Sequence, residues 1–209
     1  MLKKNIINRS DMISCALCMD APCSSACRAI DPAKALFGIW MDDQDEAEWG
    51  GALAKLCEEN GADAIELNFS CPNMQEDGLG SDIGQIPELV EKYTAAAKRS
   101  TTIPVLAKLT PNVASMNPAA EAALRGGADG IAAINTIKSI VGVNPYTYVS
   151  APAVRGRSAV GGYSGTAVKP IALRFIAEMG QNPALKGMHI SGMGGIETWR
   201  DAKLTGAGV

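Results

Sequence analysis

No apolar run in this 209-residue chain approaches the roughly 20 residues that a membrane span needs. Met1-Leu2-Lys3-Lys4-Asn5 leads into no signal-peptide core, so a cytoplasmic protein is expected. Charge of one sign is scarce as well: 19 Lys and Arg stand against 22 Asp and Glu, a formal net charge of -3. The cations are spread along the chain and form no basic stripe to hold a nucleic-acid backbone. No G-x-G-x-x-G joins a first strand to its helix, which counts against a dinucleotide-binding sheet.

Cysteine, by contrast, is concentrated. Of six in the chain, four fall at Cys15, Cys18, Cys23 and Cys27, the spacing C-x2-C-x4-C-x3-C. In a cytosolic chain such a cluster binds metal or does chemistry more often than it forms disulfides. With no second C-x2-C pair, it is closer to an iron-sulfur loop than to a zinc finger, and zinc is the alternative. Cys57 lies inside a helical pattern and reads as a core thiol. A composition change near Asp43 divides the chain into a Cys-rich segment, 1–43, and a second region, 44–209.

That second region alternates. Helices are expected over 47–60, 87–98, 117–125, 169–179 and 197–205, and strands over 64–68, 103–109, 130–135 and 188–192, with a further strand starting at 207. Short buried strands between helices indicate βα units and a parallel sheet. The phrases Gly61-Ala62-Asp63-Ala64, Gly127-Ala128-Asp129-Gly130 and Gly206-Ala207-Gly208 each end a helix on glycine and start a strand at once. This repeat favours a (β/α)8 TIM barrel over a doubly wound sheet. A complete barrel takes about 250 residues, so an incomplete one is expected, containing the later strands.

In parallel barrels the chemistry sits at the strand C-termini. Here those ends read Asn68-Phe69-Ser70-Cys71-Pro72-Asn73, Lys108-Leu109-Thr110-Pro111-Asn112, Asn135-Thr136 and Ser191-Gly192-Met193-Gly194-Gly195. Asparagines on three consecutive strand ends can donate to and accept from a planar ligand rich in amides; taken singly, each could equally cap a turn. Lys108, flanked by apolar residues, either meets an anionic group of a cofactor or carries its ammonium out to water. Gly194, Gly195 and the Gly161-Gly162-Tyr163-Ser164-Gly165-Thr166 loop free backbone amides for a phosphate. At this level Cys71 is a buried thiol, a ligand or an acid.

The segments ELNFSCPN, AKLTPNV, INT, GGYSGTAVKPIALR and GMGGI resemble, in order and spacing, the flavin-binding half of the dihydropyrimidine dehydrogenases and their relatives, the class 1 dihydroorotate dehydrogenases. The likeness runs from about Asp45 to the C-terminus and is strongest to the catalytic subunit of bacterial NAD-dependent dihydropyrimidine dehydrogenases. CALCMDAPCSSAC is similar to the iron-sulfur segment of the same system.

The resemblance implies an oxidoreductase that interconverts uracil or thymine with the 5,6-dihydropyrimidines. Region 44–209 would then be part of an FMN-binding barrel. Lys108, Thr110, Ser164, Gly165, Gly194 and Gly195 would face FMN, and Asn68, Asn73, Asn135 and Thr136 the pyrimidine. Cys71 would give a proton to C5, with Ser70 orienting it; a thiol of ordinary pKa, about 8.5, is protonated at neutral pH. Cys15, Cys18, Cys23 and Cys27 would hold a [4Fe-4S] cluster. NAD would be reached through an FAD- and NAD-binding partner subunit, in an oligomer. The rivals are dihydroorotate oxidation and a non-catalytic electron-transfer module.

Overall fold

The structure, a computed structural model, describes residues 36–40, 46–70, 83–151, 153–154, 157–158 and 160–206. The four-cysteine cluster, Cys71, Asn73 and the start of a strand at 207 lie outside these residues. The chain order begins with strand β1 (Leu36–Trp40), helix α1 (Glu46–Glu59), β2 (Ala64–Asn68), α2 (Pro87–Ser100), β3 (Val105–Lys108), α3 (Asn117–Arg125) and β4 (Gly130–Ala133). An excursion of short strands follows: β5 (Ile137–Ser139), β6 (Gly142–Val143), β7 (Ser150–Ala151), β8 (Ala153–Val154), β9 (Arg157–Ser158) and β10 (Gly161–Tyr163). Then come α4 (Lys169–Gly180), β11 (His189–Gly192) and α5 (Trp199–Gly206).

Five strands form one parallel sheet in the order β1-β2-β3-β4-β11. Spatial order follows chain order without reversal, as in a barrel; a doubly wound sheet would reverse at a switch point. Strand β1 lies before Asp43 and pairs along its whole length with β2. The sheet therefore begins inside the segment expected to be only Cys-rich, and an earlier strand than those read from the sequence is present.

Alternation decides which side of the sheet is dry. Ile65 and Leu67 of β2, Val105 and Ala107 of β3, and Ile131 and Ala133 of β4 are fully buried on the helix side. With Phe69, Val90, Tyr93 and Phe175 they form the core, each large apolar side chain contributing about 1.5–3 kcal/mol of burial. Glu66, Asn68, Leu106 and Lys108, the intervening residues, are half-buried on the other side.

The repeated glycine phrase has a physical basis. After α1, Gly61 takes φ 84°, Ala62 N donates to Cys57 O (3.0 Å) and Gly61 N to Glu58 O (2.9 Å). After α3, Gly127 takes φ 88°, Ala128 N donates to Ala123 O (3.0 Å) and Gly127 N to Leu124 O (2.9 Å). Both are Schellman caps, which satisfy the last helical carbonyls through a left-handed residue that glycine adopts freely. The aspartate of the second phrase then starts the sheet: Asp129 N donates to Val105 O (2.8 Å), while Asp129 Oδ2 accepts from Val105 N (2.8 Å) and Lys98 Nζ (2.5 Å).

The described residues between Thr136 and Ser164 carry short paired strands. Strands β5 and β10 pair antiparallel at the root of this excursion, Ile137 opposite Tyr163 and Ser139 opposite Gly161. Beyond it, β6 pairs with β7 and β8 with β9.

Candidate functional site

Strand register sets two rows of residues across the half-buried side of the sheet. Glu66, Leu106, Gly130 and His189 lie side by side, and one step nearer the strand C-termini so do Asn68, Lys108, Ala132 and Ser191. The second row is the rim on which the polar strand ends converge.

Asn68 is the hub of that rim. Its Oδ1 accepts from Ser70 N (3.1 Å), Ser70 Oγ (3.1 Å) and Asn135 Nδ2 (3.1 Å). Asn135 Nδ2 also donates to Ser70 Oγ (2.5 Å), and Asn135 Oδ1 accepts from Thr136 N (2.7 Å). Three donors on one amide oxygen fix the amide plane and turn the Asn68 NH2 group away from the network. The structure thus joins Asn68, Ser70 and Asn135, residues 67 positions apart at the extremes. Both ends of Asn135 are engaged within the protein, so it orients Asn68 and Ser70. Ser70 is fully buried, and its hydroxyl proton goes to Asn68.

Thr110 is buried. Its Oγ1 accepts from Asn112 N (3.2 Å) and Nδ2 (3.0 Å). Asn112 Nδ2 also donates to Thr136 O (3.3 Å), and Asn112 Oδ1 accepts from Lys138 N (2.8 Å). Thr110, expected at the cofactor, supports an asparagine bracket between the loops after β3 and β4. The Thr136 side chain occupies space left by Gly162, where an added Cβ would stand 2.2 Å from Thr136 Oγ1.

Lys108 Nζ pairs with Glu66 Oε1 at 2.9 Å, with side-chain exposures of 23% and 15%. It neither snorkels freely nor awaits its first anion. Glu66 was missed at the sequence level; the available signal was its position two residues before Asn68, which puts both on the same side of β2.

The two glycine turns meet. Chain leaving β4 passes through a cis Ala133–Ile134 peptide bond, and Ile134 N donates to Met193 O (3.0 Å), which holds the end of β11 beside β4. Gly195 follows with φ 68°, so close to the Gly165 turn that a Cβ there would lie 2.9 Å from Gly165 O and 3.0 Å from Lys169 N. Only a residue without a side chain permits this approach. Ser164 and Gly165 are exposed and lead into the 3-10 turn Thr166–Val168 and α4. The backbone amides of two glycine turns beside a helix start are a donor set suited to a phosphate.

The flank of this corner is acidic and internally paired. Asp201 Oδ1 accepts from Lys169 Nζ (3.1 Å), and Oδ2 accepts from Thr198 Oγ1 (2.9 Å), Thr198 N (2.9 Å) and Glu197 N (3.2 Å). Chiefly through Lys169 and then Thr198, the Asp201 carboxyl is held down at about 2. Glu197 accepts from Thr166 Oγ1. A cavity of about 660 Å³ lies at the opposite, N-terminal end of the strands, between Leu106, Ile176, Asn182 and His189. None of the expected site residues lines it.

A family model described as dihydroorotate dehydrogenase matches residues 33–208. The chain belongs to the dihydroorotate dehydrogenase family. It is 56% identical over 171 residues to the NAD-dependent dihydropyrimidine dehydrogenase subunit PreA of Escherichia coli K12, covering 82% of this chain and 41% of that protein. It is 38% identical over 175 residues to the chloroplastic NADP(+) dihydropyrimidine dehydrogenase of Arabidopsis thaliana, covering 82% and 41%. To the catalytic subunit of dihydroorotate dehydrogenase B (NAD(+)) of Pyrococcus horikoshii it is 45% identical over 141 residues, covering 68% and 43%. The chain thus spans about two-fifths of the length of these relatives. A solved dihydroorotate dehydrogenase from Eimeria tenella, in complex with ferulenol, superposes with a TM-score of 0.57 at 20% identity, covering 80% of this chain and 48% of that one. That likeness establishes the TIM-barrel-type α/β fold of the family. Among the described residues, no helix is long and apolar enough to cross a membrane.

Proposed function

We propose that this chain carries the flavin and pyrimidine half-site of an NAD-dependent dihydropyrimidine dehydrogenase, interconverting uracil or thymine with the 5,6-dihydropyrimidines in pyrimidine catabolism. The observation that carries the reading is the rim network of Asn68, Ser70 and Asn135, which ends one residue before Cys71. The dihydropyrimidine relatives are matched over 82% of this chain, the one from E. coli at 56% identity, against 68% and 45% for the dihydroorotate relative, which favours uracil or thymine over orotate as substrate.

FMN fits the residues present: at the Gly165 turn an added Cβ would meet nothing within 4 Å, which leaves room for a phosphate beside the Gly194–Gly195 turn, and Lys108 stands at the rim to meet an anionic ring edge. Bound there, FMN supplies hydride chemistry at C6 of the pyrimidine. The Asn68 NH2 group donates to a pyrimidine carbonyl, while Asn135 keeps Asn68 turned outward. Thr136 and Asn73 would be the further contacts to the pyrimidine. The Cys71 thiol would give its proton to C5, with Ser70, the residue before it, orienting it. Ser164 and Gly165 flank the phosphate, and Thr110 supports the rim through Asn112. Cys15, Cys18, Cys23 and Cys27 would hold an iron-sulfur cluster, which would supply one-electron transfer between the flavin and NADH bound on a flavin-binding partner subunit, in a cytoplasmic oligomer.

The test is an ultraviolet-visible spectrum with flavin, iron and sulfide analysis of anaerobically purified protein, followed by uracil reduction. Flavin and iron together with uracil turnover are expected, and Cys71→Ala should keep flavin while turnover nearly stops. Normal turnover by Cys71→Ala defeats the acid assignment. Iron and sulfide without flavin would mark an electron-transfer module, and preference for orotate over uracil would move the reading to dihydroorotate.

A further inference from the structure

We infer that Glu66 is a positioning residue for Lys108, an inference that rests on the flavin reading above. Glu66 sits one row below Lys108 on the same side of the sheet, and its Oε1 lies 2.9 Å from Lys108 Nζ. Both side chains are largely shielded, 15% and 23% exposed, and a lysine stem without a partner sweeps through many rotamers at a cost in entropy when it is fixed. The carboxylate accepts a hydrogen bond from one of the three ammonium N–H groups and leaves the other two for a ligand. Asn68, level with Lys108 in the strand register, is already fixed by its three donors, so the lysine that Glu66 tethers is the neighbour of a fixed amide in the next strand. Glu66 also places a negative charge beneath that ammonium, which moderates the positive field felt by whatever anion binds above it. Toward a flavin this has a definite sign: Glu66 opposes, and Lys108 favours, the extra negative charge of the reduced ring.

Two measurements test this. In the ligand-free chain, a carbodiimide should join Glu66 to Lys108 as an amide with loss of one water, seen by peptide mass spectrometry and absent in Glu66→Gln. In the flavin-loaded chain, Glu66→Gln should shift the flavin midpoint potential upward and Lys108→Met downward, read by dye-coupled spectroscopic titration. Upward and downward shifts of this kind are not produced by a residue that only stabilises the fold. Absence of the cross-link, or an unmoved potential in a Glu66→Gln protein that still binds flavin, overturns the inference alone. Failure of the unaltered chain to bind FMN overturns the flavin reading and the inference with it.

Discussion

Replacing Asn68 separates what its oxygen does from what its nitrogen does. In Asn68→Ala, three donors lose their acceptor: Ser70 N, Ser70 Oγ and Asn135 Nδ2. Asn135 keeps the Ser70 hydroxyl as a partner, and that hydroxyl is free to rotate. The Ser70 amide, in a fully buried residue, is stranded. A buried donor left unmade costs about 1–3 kcal/mol and a lost net hydrogen bond about 0.5–1.5, so the loss should be roughly 2–4 kcal/mol. Asn68→Asp keeps an oxygen for all three donors and should stay within about 1 kcal/mol of the parent. It replaces the outward NH2 donor with an acceptor, however, and uracil binding should fall at least about tenfold, the equivalent of 1.4 kcal/mol. Urea unfolding with matched slopes measures the first pair, and calorimetric titration with uracil the second. If Asn68→Asp is as unstable as Asn68→Ala, the oxygen is not the hub and the amide assignment is wrong.

Other parts of the molecule make their own predictions. Gly195→Ala meets both a left-handed backbone and the Gly165 carbonyl at 2.9 Å; a loss of roughly 2–4 kcal/mol in thermal or urea unfolding is expected, together with loss of bound FMN. The Asp201 carboxyl is held below its ordinary value of 3.8, to about 2. The stability it contributes is therefore complete above the unfolded value and lost as pH falls from about 4 through 2. Asp201→Asn should flatten the melting-temperature profile in that window, and an unchanged slope would refute the Lys169 link. Burial pushes the Cys57 thiol up, so it should react with a thiol reagent at neutral pH only after unfolding, as followed by peptide mapping.

Where the sequence is periodic and its turns are chemically specific, the fold is legible in it. Helix α3 falls on the expected residues and β2 on the expected strand, because alternation and glycine caps are local signals that packing then reinforces. Strand β1 is five residues with a glycine in the middle, beside a cysteine-rich stretch, and only its pairing with β2 reveals it as sheet. The excursion strands are two or three residues long, too short for any period. At the site, strand-end position was enough to group Asn68, Lys108 and Asn135. It did not show that Thr110 serves Asn112, nor that Lys108 has a partner, because Glu66 is 42 residues away in the chain and contact across neighbouring strands depends on register.

The pairing of β5 with β10 has a practical consequence. Because Ile137 is fastened to Tyr163, the two residues that flank this root, Thr136 and Ser164, are held by strand pairing and not by the course of the chain between them. Residues 140–148 are all exposed, and lengthening a closed loop costs little, about 0.6 kcal/mol for each doubling. The turn at Asn144 to Tyr148 is therefore a place to graft a reporter, an affinity handle or an immobilisation tether without disturbing the rim.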